Sequence, residues 1–129
     1  MIYGVGTDIA SVARLAALYE RHGERALEKI LAPEEMTRCR AASEPGRYLA
    51  KRFAAKEALS KALGTGIRAP ALMPAMVVMN DELGKPYFTF APELAAYMQA
   101  KKLVAHLSIS DEKEHAVAFV VLETREQEF

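Results

Sequence analysis

One cysteine, no net charge and no long apolar run define this chain first by what it has little of. Cys39 stands alone, so it closes no internal disulfide, and it belongs to no Cys/His metal pattern. A reduced, cytoplasmic compartment is the expectation. The longest uncharged stretch, residues 69–80, has 12 residues with Pro70 and Pro74 inside it, too short and too broken to cross a bilayer. The first residues lack the charged-then-apolar layout of a signal peptide, and Asp8 interrupts their apolar run. A soluble protein with no membrane partner is expected. Internal repeats, low-complexity tracts and linkers are missing too, which leaves one domain over residues 1–129. At 51% apolar residues that domain can bury a core without disulfides or a structural metal, and disorder is excluded.

The missing net charge needs a closer look. With 17 basic against 17 acidic side chains, the overall basic balance of a nucleic-acid binder is absent. Zero is nevertheless a sum. Residues 1–70 hold 12 Lys/Arg and 8 Asp/Glu, whereas residues 71–129 hold 5 and 9. The cations concentrate in segment 38–68, where Arg38, Arg40, Arg47, Lys51, Arg52, Lys56, Lys61 and Arg68 face only Glu44 and Glu57.

Periodicity then gives the elements. Residues 1–9 alternate as a strand, with Tyr3, Val5, Thr7 and Ile9 on one face and Gly4, Gly6 and Asp8 on the other. Ser11 reads as the N-cap of a helix that buries Leu15 and Leu18. Gly23 interrupts, a short helix covers about 24–31, and Pro33 begins a third. A turn is expected over 43–46. Residues 47–63 then make the strongest helix, with Ala50, Ala54, Ala58 and Ala62 as a smooth stripe flanked by Leu59 and Leu63 and a left-handed stop at Gly64. Beyond residue 74, strands at 76–79 and 86–90 flank a polar turn over 80–85. A helix follows over 92–101. Residues 103–110 alternate with Leu103, Ala105, Leu107 and Ile109 inward, and 116–122 is continuously apolar, as in a central strand. Helices first and antiparallel strands later make the fold class α+β.

Several of these residues can carry chemistry, and each also has a plainer role. Asp8 sits on a strand face whose neighbours have no side chains, leaving room for a ligand, an ion or another backbone; it could equally cap the following turn. Leu49, Phe53, Glu57 and Lys61 form one drifting helical stripe, and Glu57 with Lys61 is also an ordinary i, i+4 surface pair. Gly64, Thr65 and Gly66 can offer backbone N–H groups to a phosphate, or simply end the helix. Gly84, Lys85 and Pro86 are first a turn. His106 projects from the polar face of its strand.

Their order along the chain is more specific than any of them alone. Gly6-Thr7-Asp8-Ile9, then Arg52-Phe53-Ala54-Ala55-Lys56-Glu57-Ala58 running into Ser60-Lys61-Ala62-Leu63-Gly64-Thr65-Gly66-Ile67, then Asn80-Asp81-Glu82-Leu83-Gly84-Lys85-Pro86 closely resemble the holo-acyl-carrier-protein synthases, the small 4′-phosphopantetheinyl transferases of fatty-acid synthesis. The resemblance runs from residue 2 to about 123. It implies transfer of the phosphopantetheine arm of coenzyme A to a serine of an acidic acyl carrier protein, with adenosine 3′,5′-bisphosphate leaving. By the same match Asp8 and Glu57 are the Mg²⁺ ligands, Glu57 and Lys61 act in catalysis, and Arg52, Ser60, Gly64, Thr65 and Gly66 contact coenzyme A. Gly84, Lys85 and Pro86 match the adenine-side loop, and His106 a contact near the ribose phosphate. Arg14, Arg21 and Arg25, at i, i+7 and i+11, resemble a basic docking surface for the carrier if the first two helices are nearly continuous. The family's homotrimers imply sites shared between neighbours, and the alanine stripe and glycine face would permit close packing. One departure is Asp111, where many relatives have a second histidine, so no catalytic role is assigned there.

A rival reading is a non-catalytic module that binds RNA or another polyanion through 38–68. Such a surface favours aromatic side chains between its cations. Only Tyr48 and Phe53 lie in the segment.

Overall fold

Two glycines set the architecture. The structure, a computed structural model, describes residues 1–125; the last four residues of the domain expected over 1–129 lie outside the described part. The first strand, β1 (Ile2–Ser11), alternates as the sequence predicts. A Cβ on Gly6 would lie 1.9 Å from the carbonyl oxygen of Ala58, and one on Gly4 2.0 Å from that of Ala62. Both oxygens belong to helix α4 (Pro45–Leu63), whose backbone therefore rests directly on the glycine face. The space left beside Asp8 is filled by another backbone. Ala50, Ala54, Ala58 and Ala62 all face the core, so the close packing that the alanine stripe and the glycines permit is made within the chain.

Helix α4 begins at Pro45, inside the turn expected over 43–46. Proline in the first turn forfeits no intrahelical hydrogen bond, and the N–H of Tyr48 already bonds to the Glu44 carbonyl at 3.1 Å. Gly64 closes the helix in the left-handed conformation, φ 79° and ψ 6°.

Against α4 lies a three-stranded antiparallel sheet in the order β1-β5-β4, with β4 spanning Leu103–Asp111 and β5 His115–Thr124. Asp8 pairs with Ala118, which pairs with Ile109. Strand β5 is central, as its apolar run implied, but it is not buried on both faces. Ala116, Ala118, Val120 and Leu122 point into the core, whereas Val117 and Phe119 are 40% and 44% exposed. With Val5 and Ile9 of β1 they make an apolar outer sheet face.

The remaining elements frame this pair. Ser11 caps α1 (Val12–His22), its Oγ accepting from the Arg14 N–H at 3.2 Å. Leu15 is buried, but Leu18 stays at the surface, against expectation, because it lies on the wall of an open cleft. Gly23, at φ 57° and ψ −132°, separates α1 from α2 (Glu24–Ile30). The two helices are distinct, so Arg14 and Arg21 share α1 while Arg25 belongs to α2. Helix α3 (Pro33–Ala41) follows. A 3-10 turn, Met73–Ala75, leads into the hairpin β2 (Met76–Asn80) and β3 (Pro86–Phe90), and α5 (Pro92–Ala100) returns the chain to β4.

One buried ion pair joins four elements. Lys56 of α4 and Glu35 of α3 are fully buried and 2.6 Å apart. The Lys56 ammonium also donates to the Ile30 carbonyl at the end of α2 at 2.6 Å. Glu35 accepts from the N–H groups of Ala32 at 2.9 Å and Val78 of β2 at 3.0 Å.

Candidate active site

The close seating of α4 on β1 determines which side chains can meet. Asp8, next along the inner face of β1 after Gly6, lies beside the last two turns of α4. Lys61 reaches across to it, its Nζ donating to Asp8 Oδ1 at 3.1 Å and to the Thr7 carbonyl at 2.9 Å. Lys61 thus pairs with Asp8 and, among the described residues, forms no ion pair with its i, i+4 neighbour Glu57. Glu57 is half-buried one turn earlier. Burial first, and then the Asp8 carboxylate, push its carboxyl above the ordinary range, while Lys61 pulls it down. Two carboxylates that feel each other's charge, beside one lysine, form an oxygen-rich pocket suited to a small divalent cation and the anion it carries. Among the described residues no third His, Cys, Asp or Glu joins them, so the remaining ligands of such a cation must be waters or the anion itself. A cleft of about 830 Å³ opens beside Glu57, with Leu18, His22, Arg25, Lys29 and Phe53 on its walls.

The other candidates lie elsewhere on the same helix. Nine residues separate Arg52 from Lys61, which places them about 13 Å apart along the axis and on opposite sides of it. Arg52 is only 6% exposed. Its guanidinium lies 4.1 Å from the centre of the Tyr48 ring and donates to Asn80 Oδ1 at 3.1 Å, while its Nε has no acceptor among the described residues. Gly84, at φ 86°, turns the hairpin near by. Lys85, Pro86 and His106 line a smaller cleft of about 290 Å³ with Tyr87, Ser108 and Phe119. His106 is on the exposed face, as alternation predicted, 2.7 Å from Glu123. Asp8 and His106 thus lie on the two edge strands of the sheet, with β5 between them.

Three candidates have their polar groups partly engaged. The Ser60 hydroxyl is buried and donates to the Glu57 carbonyl at 2.7 Å. The Gly64 N–H bonds to the Ser60 and Lys61 carbonyls, so it closes the helix and is withdrawn from any phosphate nest. Thr65 Oγ1 donates to the Gly66 carbonyl at 2.8 Å. The backbone N–H groups of Thr65 and Gly66 remain the open donors of that loop.

The cationic segment is largely neutralised by acids far away in sequence. Arg40 pairs with Glu24, Lys56 with Glu35 and Lys61 with Asp8. Arg47 and Lys51 converge on Asp111 at 3.1 and 3.6 Å. Asp111 therefore fastens the end of β4 to α4, a structural role for a position that was assigned no catalytic one. The reading of 38–68 as a polyanion-binding surface loses its basis in these pairs. Sequence reasoning missed Asn80 and the Lys56–Glu35 pair. The motif block contains Asn80 and Lys56, but nothing local signals that their side chains turn inward.

Comparisons with known proteins bear on the family and the fold. A family model described as the 4′-phosphopantetheinyl transferase superfamily matches residues 4–120. A protein of Dechloromonas aromatica named holo-[acyl-carrier-protein] synthase is 58% identical over 123 residues, which cover 95% of this chain and 98% of that protein. The crystal structure of holo-[acyl-carrier-protein] synthase from Neisseria meningitidis matches the fold with a TM-score of 0.92 at 44% identity, over 96% of this chain and 100% of that one. The Helicobacter pylori enzyme of the same name, in complex with coenzyme A, has a TM-score of 0.79 at 30% identity, over 92% of this chain and 99% of that one.

Proposed function

Because the chain belongs to the 4′-phosphopantetheinyl transferase superfamily, we propose that it moves the 4′-phosphopantetheine arm of coenzyme A onto a serine of an apo-acyl carrier protein. It is a holo-acyl-carrier-protein synthase. The serine oxygen bonds to the β-phosphorus, the bond from that phosphorus to the bridging oxygen breaks, and adenosine 3′,5′-bisphosphate leaves. The observation that carries this reading is the cluster of Asp8, Glu57 and Lys61 at the seam of β1 and α4. Asp8 and Glu57 are the residues to hold Mg²⁺, whose hard oxygen preference their donor set fits. The bound ion supplies charge neutralisation for the pyrophosphate. Glu57 also orients the water that takes the serine proton. Lys61 stabilises the charge that builds on the departing phosphate.

Arg52, Ser60, Gly64, Thr65 and Gly66, with Gly84, Lys85, Pro86 and His106, are the residues for coenzyme A. The incompletely paired guanidinium of Arg52 supports an anion there. Lys61 and Arg52 lie about 13 Å apart along α4 and on opposite sides of it. That separation supports a site completed by a neighbouring copy, in a homotrimer, and the exposed Val5, Ile9, Val117 and Phe119 offer an apolar face for it. The acidic carrier docks on Arg14, Arg21 and Arg25, of which Arg25 shares the cleft with Glu57. No helix is long and apolar enough to cross a membrane among the described residues, in keeping with a cytoplasmic enzyme. The whole chain acts as one transferase domain.

Mixing the protein with coenzyme A, Mg²⁺ and an apo-carrier, and weighing the carrier by mass spectrometry, tests this. The carrier gains one phosphopantetheine. Unchanged mass across fatty-acid, polyketide and peptide carriers would defeat the reading.

A further inference from the structure

Asn80 ends β2 at the point where the hairpin turn begins, and a turn is what its position suggests. The turn, however, is built by its neighbour. Asp81 Oδ1 accepts from the N–H groups of Leu83 and Lys85, both at 2.9 Å. The Asp81 N–H bonds to the Lys85 carbonyl at 2.9 Å, and the Gly84 N–H to the Asp81 carbonyl at 3.0 Å. Asn80 adds a different connection. Its Oδ1 accepts from the Arg52 guanidinium at 3.1 Å and its Nδ2 donates to the Gly84 carbonyl at 3.0 Å.

We propose that Asn80 is a positioning residue that couples Arg52 to the 81–85 turn, so that α4 and the hairpin grip the nucleotide half of coenzyme A as one preformed unit. The inference rests on the functional reading above. Its chemistry follows from three features. Among the described residues the Arg52 head group meets the Tyr48 ring and Asn80, and its Nε finds no partner. The amide answers both a donor and an acceptor at once, because its oxygen meets a cation and its nitrogen a carbonyl. Being neutral, it orients Arg52 without cancelling the charge that an incoming phosphate needs. Preorganisation of this kind lowers the ordering cost of binding and leaves the chemical step alone.

The experiment compares the full chain with Asn80→Ala and Asn80→Asp. It measures KM for coenzyme A, kcat, KM for the carrier, thermal midpoint and, by calorimetry, binding of adenosine 3′,5′-bisphosphate. Asn80→Ala raises KM for coenzyme A and weakens the bisphosphate about tenfold, the cost of a lost hydrogen bond to a charged group, with kcat and carrier KM within about twofold. Asn80→Asp restores an acceptor for Arg52 but cancels its charge, and binds the bisphosphate more weakly than the alanine variant while melting no earlier. Unchanged bisphosphate binding in both variants would overturn the coupling, and so would parallel losses in kcat, carrier KM and melting temperature. If the wild type binds the bisphosphate but modifies no carrier, the functional reading fails while the coupling is still judged by calorimetry.

Discussion

Lys56 and Glu57 are consecutive residues of one helix, and they live in opposite worlds. Lys56 is fully buried with its charge answered: Glu35 and the Ile30 carbonyl hold its ammonium, and Glu35 in turn accepts two backbone N–H groups. Glu57 is half-exposed on a cleft wall, repelled by Asp8, and no hydrogen bond contributes to its ionisation among the described residues. A satisfied charge in the core holds a fold together, whereas a charge left unanswered at a cleft is ready for a ligand. The two stand side by side in the 52–58 motif. The structure divides them into a fastener and a tool.

That division can be broken by experiment. The largest effect falls on Glu57: Glu57→Gln loses at least about a thousandfold in turnover yet unfolds no more easily than the wild type, because removing its charge also removes the repulsion from Asp8. Excess EDTA produces the same loss in the wild-type enzyme, and added Mg²⁺ restores it. If Glu57→Gln turns over normally, the tool is misassigned. Lys56→Met should show the reverse profile. It strands the Glu35 carboxylate in the core, so denaturant melts report a loss of about 3–5 kcal/mol, while turnover of the molecules that remain folded stays near normal.

A subtler difference appears with pH. Burial draws the Lys56 ammonium down to about 8, with Glu35 pulling the other way. The unfolded chain therefore holds this proton more tightly than the folded one between about 8 and the ordinary lysine value. In that window the Lys56 contribution to stability rises with pH, and it falls away as pH drops back through about 8. Subtracting melts of Lys56→Met from those of the wild type at pH 7.5 and pH 10 isolates it; a difference that shrinks toward pH 10 contradicts the assignment. At the small end, Asp111→Ala frees Arg47 and Lys51 from a partly exposed partner and costs less than about 1 kcal/mol. Tyr48→Phe removes only an unpaired hydroxyl and keeps the ring beneath Arg52, so KM for coenzyme A does not move.

How much of this was legible beforehand depends on how far apart the partners lie in the chain. Alternation in β1, the alanine stripe of α4 and the stop at Gly64 are local signals, and all were readable. So was the grouping of Asp8, Glu57 and Lys61, because the motifs bracket it. The cations of 38–68 were misjudged, since Asp111 lies 64 residues from Arg47 and Glu35 21 residues from Lys56. A charge count along the chain cannot register such pairings. The apolar run of β5 marked it as a central strand, but hydropathy alone does not show that Val117 and Phe119 lie on an open face. The Gly23 break was visible as a glycine, but not its dihedral angles, and those decide that Arg25 leaves the line of Arg14 and Arg21.

The glycines of β1 have one more consequence. Where Gly4 and Gly6 meet α4, the layers are separated by little more than two main chains, the smallest spacing a polypeptide can reach. A gap set by side chains drifts whenever one is exchanged for another of different size. A gap set by peptide groups has no such adjustment. The span from Asp8 to the last turns of α4 is therefore a gauge set by main chain, and a side chain added at Gly4 or Gly6 would change it.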